Sequence, residues 1–152
     1  MYEQLLIEAD QLEIEIREKP LPTRLKGLYS DNVIWINRNI RNNTEKACTL
    51  AEEIGHHHTS FGDILDQTSL VNKKQELAAR RWAYTRLVPL SKIVQANKVG
   101  IRNRYELAHF LCVTEDFLEE ALKRYKEKYG TFTTYKNYTV FFEPLAILEM
   151  FD

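Results

Sequence analysis

The run Leu50-Ala51-Glu52-Glu53-Ile54-Gly55-His56-His57-His58-Thr59 constrains this chain more than any other. Stepped at 100° per residue, Ala47, Leu50, Ala51, Ile54 and His58 fall on one stripe, which predicts an amphipathic helix. A cap at Asn43 or Thr44 starts it. Glu52, Glu53 and His56 lie on the opposite side, and His57 borders the stripe beside Leu50 and Ile54. Such a helix packs a core with one side and presents carboxylates and imidazoles from the other. It is either a surface helix or the floor of a cleft.

The flanking pattern predicts what this helix packs against. Residues 2–11 read as a helix, and Leu12 to Ile16 alternate as a short strand. After Pro20 and Pro22, Leu28 to Asn37 reads as a hairpin turning at Ser30-Asp31-Asn32. Its second strand, Val33-Ile34-Trp35-Ile36, is apolar on both faces, which predicts a sheet covered by helices. Thr59 to Thr68 reads as a loop, and a second helix runs from Lys73 to Val88, stopped by Pro89. On it Glu76, Ala79, Ala83 and Leu87 form a stripe. A buried glutamate at the head of that stripe needs a cation, a metal or hydrogen bonds; otherwise its carboxylate reaches water or pairs with Arg80.

Beyond Pro89, helices over 92–98, 103–110 and 115–128 are predicted, the last two joined by Cys112-Val113-Thr114 in a helix-turn-helix-like pattern. Thr114 caps the last helix and Gly130 ends it. A DNA-reading helix carries donors in its first turns, yet these positions are Glu115, Asp116, Glu119 and Glu120, which repel phosphate. The pattern therefore reads as a packing element rather than a DNA reader. Thr133 to Phe142 reads as a hairpin around Lys136-Asn137, and the apolar tail Leu145 to Phe151 must dock on something.

The fold class expected is α+β, as one domain over 1–152: a core over 1–89 with the active-site helices, then a helical subregion and C-terminal hairpin over 90–152. Its 21 basic and 22 acidic residues give a net charge of -1, which argues against general nucleic-acid binding. Cys48 and Cys112 make no disulfide framework, and no secretory or membrane-spanning run is present. A cytoplasmic protein with no direct nucleic-acid or membrane contact is expected.

Glu52 and His56 stand one helical turn apart, with Glu53 beside them, in the geometry of an H-E-x-x-H zinc helix whose first histidine is a glutamate. A catalytic zinc takes three protein ligands and a water, and accepts carboxylate as well as imidazole. In one register Glu52, His56 and Glu76 are the ligands and Glu53 the general base. In a competing register the ligands are Glu53, His57 and Asp63, at i, i+4 and i+10, with Glu52 as base. In a third reading no metal binds, and Glu52–His56 and Glu53–His57 are ordinary helix-surface pairs. The more carboxylate-rich ligand set is harder than that of H-E-x-x-H, so zinc would be held more weakly and another divalent metal admitted.

Lys26-Gly27-Leu28-Tyr29 with Val33 to Ile36, the Leu50 to His56 helix, and Glu76-x-x-Ala79-x-x-Trp82-Ala83 leading to Pro89 together resemble the ImmA/IrrE family of metallopeptidases. Tyr105-Glu106-Leu107-Ala108 through Val113-Thr114 resembles that family's small helical part. The family's helix reads L-A-H-E-x-G-H. Its base carries over to Glu53, its second histidine ligand to His56 and its downstream glutamate ligand to Glu76, while Glu52 stands where its first histidine would be. The resemblance implies a thermolysin-like minimal core and a zinc endopeptidase that cuts helix-turn-helix repressors of phages and mobile elements. The alternative is an anti-repressor on the same scaffold that binds its repressor without cutting it.

Overall fold

The computed structural model describes residues 1–59 and 69–151, with residues 69–71 described as helical backbone. It is a mixed α+β chain with two three-stranded sheets. Its contacts divide it into two compact units, Met1–Ala83 and Tyr84–Asp152.

In the first unit, α1 (Tyr2–Gln11) is followed by β1 (Glu15–Lys19), β2 (Gly27–Ser30), β3 (Val33–Asn37), α2 (Asn43–Thr59) and the start of α3 (Ser69–Leu87). β3 is central, pairing parallel with β1 and antiparallel with β2. The first strand begins at Glu15 rather than Leu12. Glu13 adopts φ 60°, and the Leu12 and Ile14 N–H groups donate back to Glu8 and Ala9. The carbonyls of the last turn of α1 thus capture residues that the alternation had assigned to the strand.

The expectation of a sheet covered on both faces needs correction. Ile34 and Ile36 are fully buried, and their cross-strand neighbours Gly27, Tyr29, Ile16 and Glu18 share the face on which α1 and α2 pack. Val33 and Trp35 lie on the other face with Glu15, Arg17 and Leu28, and stay only half-buried. Charged residues alternating along β1 commit that second face to water. Asn37, at the end of β3, is 4% exposed. Its side chain accepts from the Asn39 N–H at 3.0 Å and donates to the Leu25 carbonyl at 2.8 Å and the Leu21 carbonyl at 3.2 Å, pinning the loop that leads into β2.

In the second unit, α4 (Leu90–Lys98) starts behind Pro89, whose ψ of 151° ends the preceding helix. Asn103 caps α5 (Arg104–Leu111), its side chain accepting from the Glu106 N–H at 2.8 Å. Cys112 then turns the chain at φ 59°, and Thr114 caps α6 (Glu115–Tyr129) by accepting from the Phe117 N–H at 3.1 Å. Gly130 closes α6 at φ 82°. β4 (Phe132–Tyr135), β5 (Tyr138–Phe142) and β6 (Leu145–Glu149) follow as an antiparallel sheet. The apolar tail thus docks as a third strand. Phe142 stacks on Tyr125, whose hydroxyl donates to the Val88 carbonyl at 2.7 Å. Glu115, Asp116, Glu119 and Glu120 are exposed, as expected of a packed helix with a solvated acidic face. Among the described residues no helix is long and apolar enough to cross a membrane.

Candidate functional site

α2 is packed on more than one side. Ala47, Leu50, Ala51 and Ile54 are buried as the periodicity predicts, but His58 is exposed and His56 is 8% exposed. The histidine placed on the wet side is therefore inside, and the one placed on the core stripe is outside. Two glycines mark where neighbouring backbone comes closest to α2. A Cβ on Gly55 would lie 2.4 Å from the Ala79 carbonyl oxygen, so only glycine lets α2 and α3 approach this closely. A Cβ on Gly27 would lie 2.9 Å from Thr49 Cγ2 and 3.2 Å from Glu53 Oε1, so β2 lies directly over Glu53.

The α2–α3 approach sets His56 beside Glu76, one turn ahead of Ala79, and His56 Nε2 lies 3.1 Å from Glu76 Oε1. Ala79, Ala83 and Leu87 are fully buried as predicted, whereas the Glu76 side chain is 56% exposed. Glu76 thus reaches water and a histidine at once. The bond from His56 lowers the Glu76 carboxyl below its ordinary value, against the opposing effect of burial, and Arg80 adds to the lowering. For His56, burial favours the neutral ring, but the bond to Glu76 and the fields of Glu53, Glu76 and Glu52 outweigh it and raise its pKa. Burial pushes Glu53 up to about 7; the field of His56 opposes this, while Glu76 and Glu52 reinforce it. Glu52 is also raised by burial, with Arg80 pulling it back down.

His57 faces elsewhere: its Nδ1 lies 2.8 Å from the Tyr29 hydroxyl. His58 stacks on Trp82 with ring centroids 4.7 Å apart. Asp63, the third member of the competing register, lies outside the described residues.

The cluster of Glu52, Glu53, His56 and Glu76 is the site that the sequence brings forward, and the fold gathers all four. Among the described residues, however, no group of three His, Cys, Asp or Glu side chains is arranged to hold a metal ion. His56 Nε2 lies 3.1 Å from Glu76 Oε1, and position 52 carries a carboxylate instead of a neutral imidazole. As arranged, the donor set does not fit a zinc centre. What it forms is a half-covered carboxylate–imidazole cluster able to hold and exchange protons near neutrality. The sequence signal for this close approach is Gly55 itself, since a glycine inside a helix costs about 1 kcal/mol relative to alanine.

No curated protein matches the chain. The IrrE N-terminal-like domain matches it over residues 9–123. That stretch takes in the sheet, the carboxylate–histidine helix, the helix bearing Glu76 and most of α6, and the chain belongs to the IrrE N-terminal-like domain family.

Proposed function

We propose that this chain is an anti-repressor that inactivates a helix-turn-helix repressor by binding it, on a peptidase scaffold whose metal centre has been altered. The observation that carries this reading is the glutamate at position 52, where the family's helix has a histidine, together with the absence among the described residues of any three His, Cys, Asp or Glu side chains arranged to hold a metal ion. Family membership supports the scaffold and, through the family resemblance, a repressor as partner. The exposed acids of α6, Glu119 and Glu120, supply a surface suited to a basic face of the repressor. They equally disfavour direct contact with operator DNA.

The test is to mix the chain with the helix-turn-helix repressor of its own genetic element in excess chelator. A complex with intact repressor, read by size exclusion and mass spectrometry, is expected, and it weakens when Glu119 and Glu120 are made lysine. A mobility-shift assay with the chain alone is expected to show no operator complex. Repressor fragments that require added zinc and disappear in Glu53→Gln would overturn this reading in favour of a metal-dependent endopeptidase. That second reading is favoured by one observation: Glu53, at the family's base position, has its carboxyl raised to about 7 beside His56.

A further inference from the structure

The sheet of the second unit ends on a strand whose one charged residue is Glu149, at its end. Its order is β4-β5-β6, so among the described residues β6 pairs on one side only. The Met150 N–H donates to the Asn137 carbonyl, which fixes the alternation of the ladder. Ala146 and Leu148 turn their backbone groups toward β5, whereas Leu145, Ile147 and Glu149 direct theirs to the open edge. Edge strands are commonly blocked by lysine, proline or a bulge; Leu145-Ala146-Ile147-Leu148-Glu149 contains no lysine and no proline. Leu148, 56% exposed, shares its outer face with Phe141 and with Phe132, itself 52% exposed.

On the inner face, Leu145 and Ile147 border a groove of about 440 Å³ whose apolar floor includes Ile93 and whose rim carries the exposed Arg102 and Arg104. We propose that β6 pairs antiparallel with β6 of a second copy of this chain, about a two-fold axis at Ile147, joining two three-stranded sheets into one. This register sets Ile147 against itself and Leu145 against the partner's Glu149. Every outward-facing backbone group of the strand then falls in a hydrogen-bonded pair.

The same register supplies the charge match that selects a second copy over an unrelated strand. Glu149 lies on the same face as Leu145, so the partner's Glu149 arrives over the groove rim where Arg102 and Arg104 stand. Within its own chain, Glu149 has only a 3.4 Å contact from Asn137 Nδ2 among the hydrogen bonds described. On the outer face, the partner's Leu148 covers Ala146 and extends the apolar surface of Phe141. One strand carries both the acid and the site that receives it, which is what an isologous interface requires.

Sedimentation velocity over a concentration series, with amide exchange on the same samples, tests this. A monomer–dimer equilibrium is expected, with protection at Leu145, Ile147 and Glu149 that rises with concentration while Ala146 and Leu148 stay constant. Ile147→Pro removes an N–H that β5 does not use, and is expected to raise the dimer dissociation constant about tenfold or more. Glu149→Arg is expected to do the same, and adding Arg102→Glu and Arg104→Glu to it to restore association. If Ile147→Pro fails to fold by circular dichroism, the charge reversal and its rescue decide. A chain that stays monomeric throughout overturns the proposal. So does a dimer indifferent to Glu149→Arg, or one that the compensating pair does not restore.

Discussion

Replacing Glu53 by glutamine removes an ionisable group from a place that disfavours its charge. In the folded chain its carboxyl is raised to about 7 from an ordinary 4.5, first by burial and then by Glu76 and Glu52. An acid whose folded pKa lies above its unfolded value is bound to more protons when folded. Stability is therefore fully present below about 4.5 and is lost as pH rises through about 7. The gap of about 2.5 between folded and unfolded values, at 1.36 kcal/mol per unit, corresponds to about 3 kcal/mol lost across that window. His56 adds to the loss in the same direction, because its folded pKa is also raised and its stabilising protonated form disappears as pH rises. Glutamine keeps the shape of the side chain and remains neutral. Urea unfolding at about pH 4 and about pH 8 is the assay. Glu53→Gln should match the parent at the lower pH and exceed it by about 2–3 kcal/mol at the higher one. A variant less stable than the parent at about pH 8 would refute the reasoning, since it would mean that the ionised carboxylate is stabilised where it stands.

Gly55→Ala should destabilise the fold by about 2 kcal/mol or more, because the added methyl meets the Ala79 backbone at 2.4 Å and cannot be relieved by a rotamer change; a thermal melt reads this. Asn37→Ala should cost about 1–2 kcal/mol by removing the buried side chain that bonds the part-buried backbone groups of Leu21, Leu25 and Asn39, and should increase amide exchange in the loop before β2. Glu52→His, which completes an H-E-x-x-H sequence, should bind zinc at least about tenfold more tightly than the parent by calorimetry; equal affinities would show that position 52 is not what separates this site from a zinc centre.

Local patterns in the sequence determined a good deal. The apolar spacing of Leu50, Ala51 and Ile54 specified α2 and its buried stripe, and Thr114 and Gly130 marked the ends of α6 where the structure has them. These are short-range effects, in which a side chain caps a turn or repeats every helical turn without reference to distant residues. The one-turn spacing of Glu52 and His56, with Glu53 beside them, was legible for the same reason. What periodicity cannot state is which angular sector of a helix is covered when partners pack on several sides. Tertiary structure decided that His56 is buried and His58 exposed, with α3 crossing closely at Gly55 and Ala79 beside them. It likewise decided that His56 Nε2 faces Glu76 and that His57 faces Tyr29, because both contacts join residues far apart in sequence. Titration followed the same division: a glutamate is an ordinary acid in any sequence, and only the strand and carboxylates closing over Glu53 raise it to about 7.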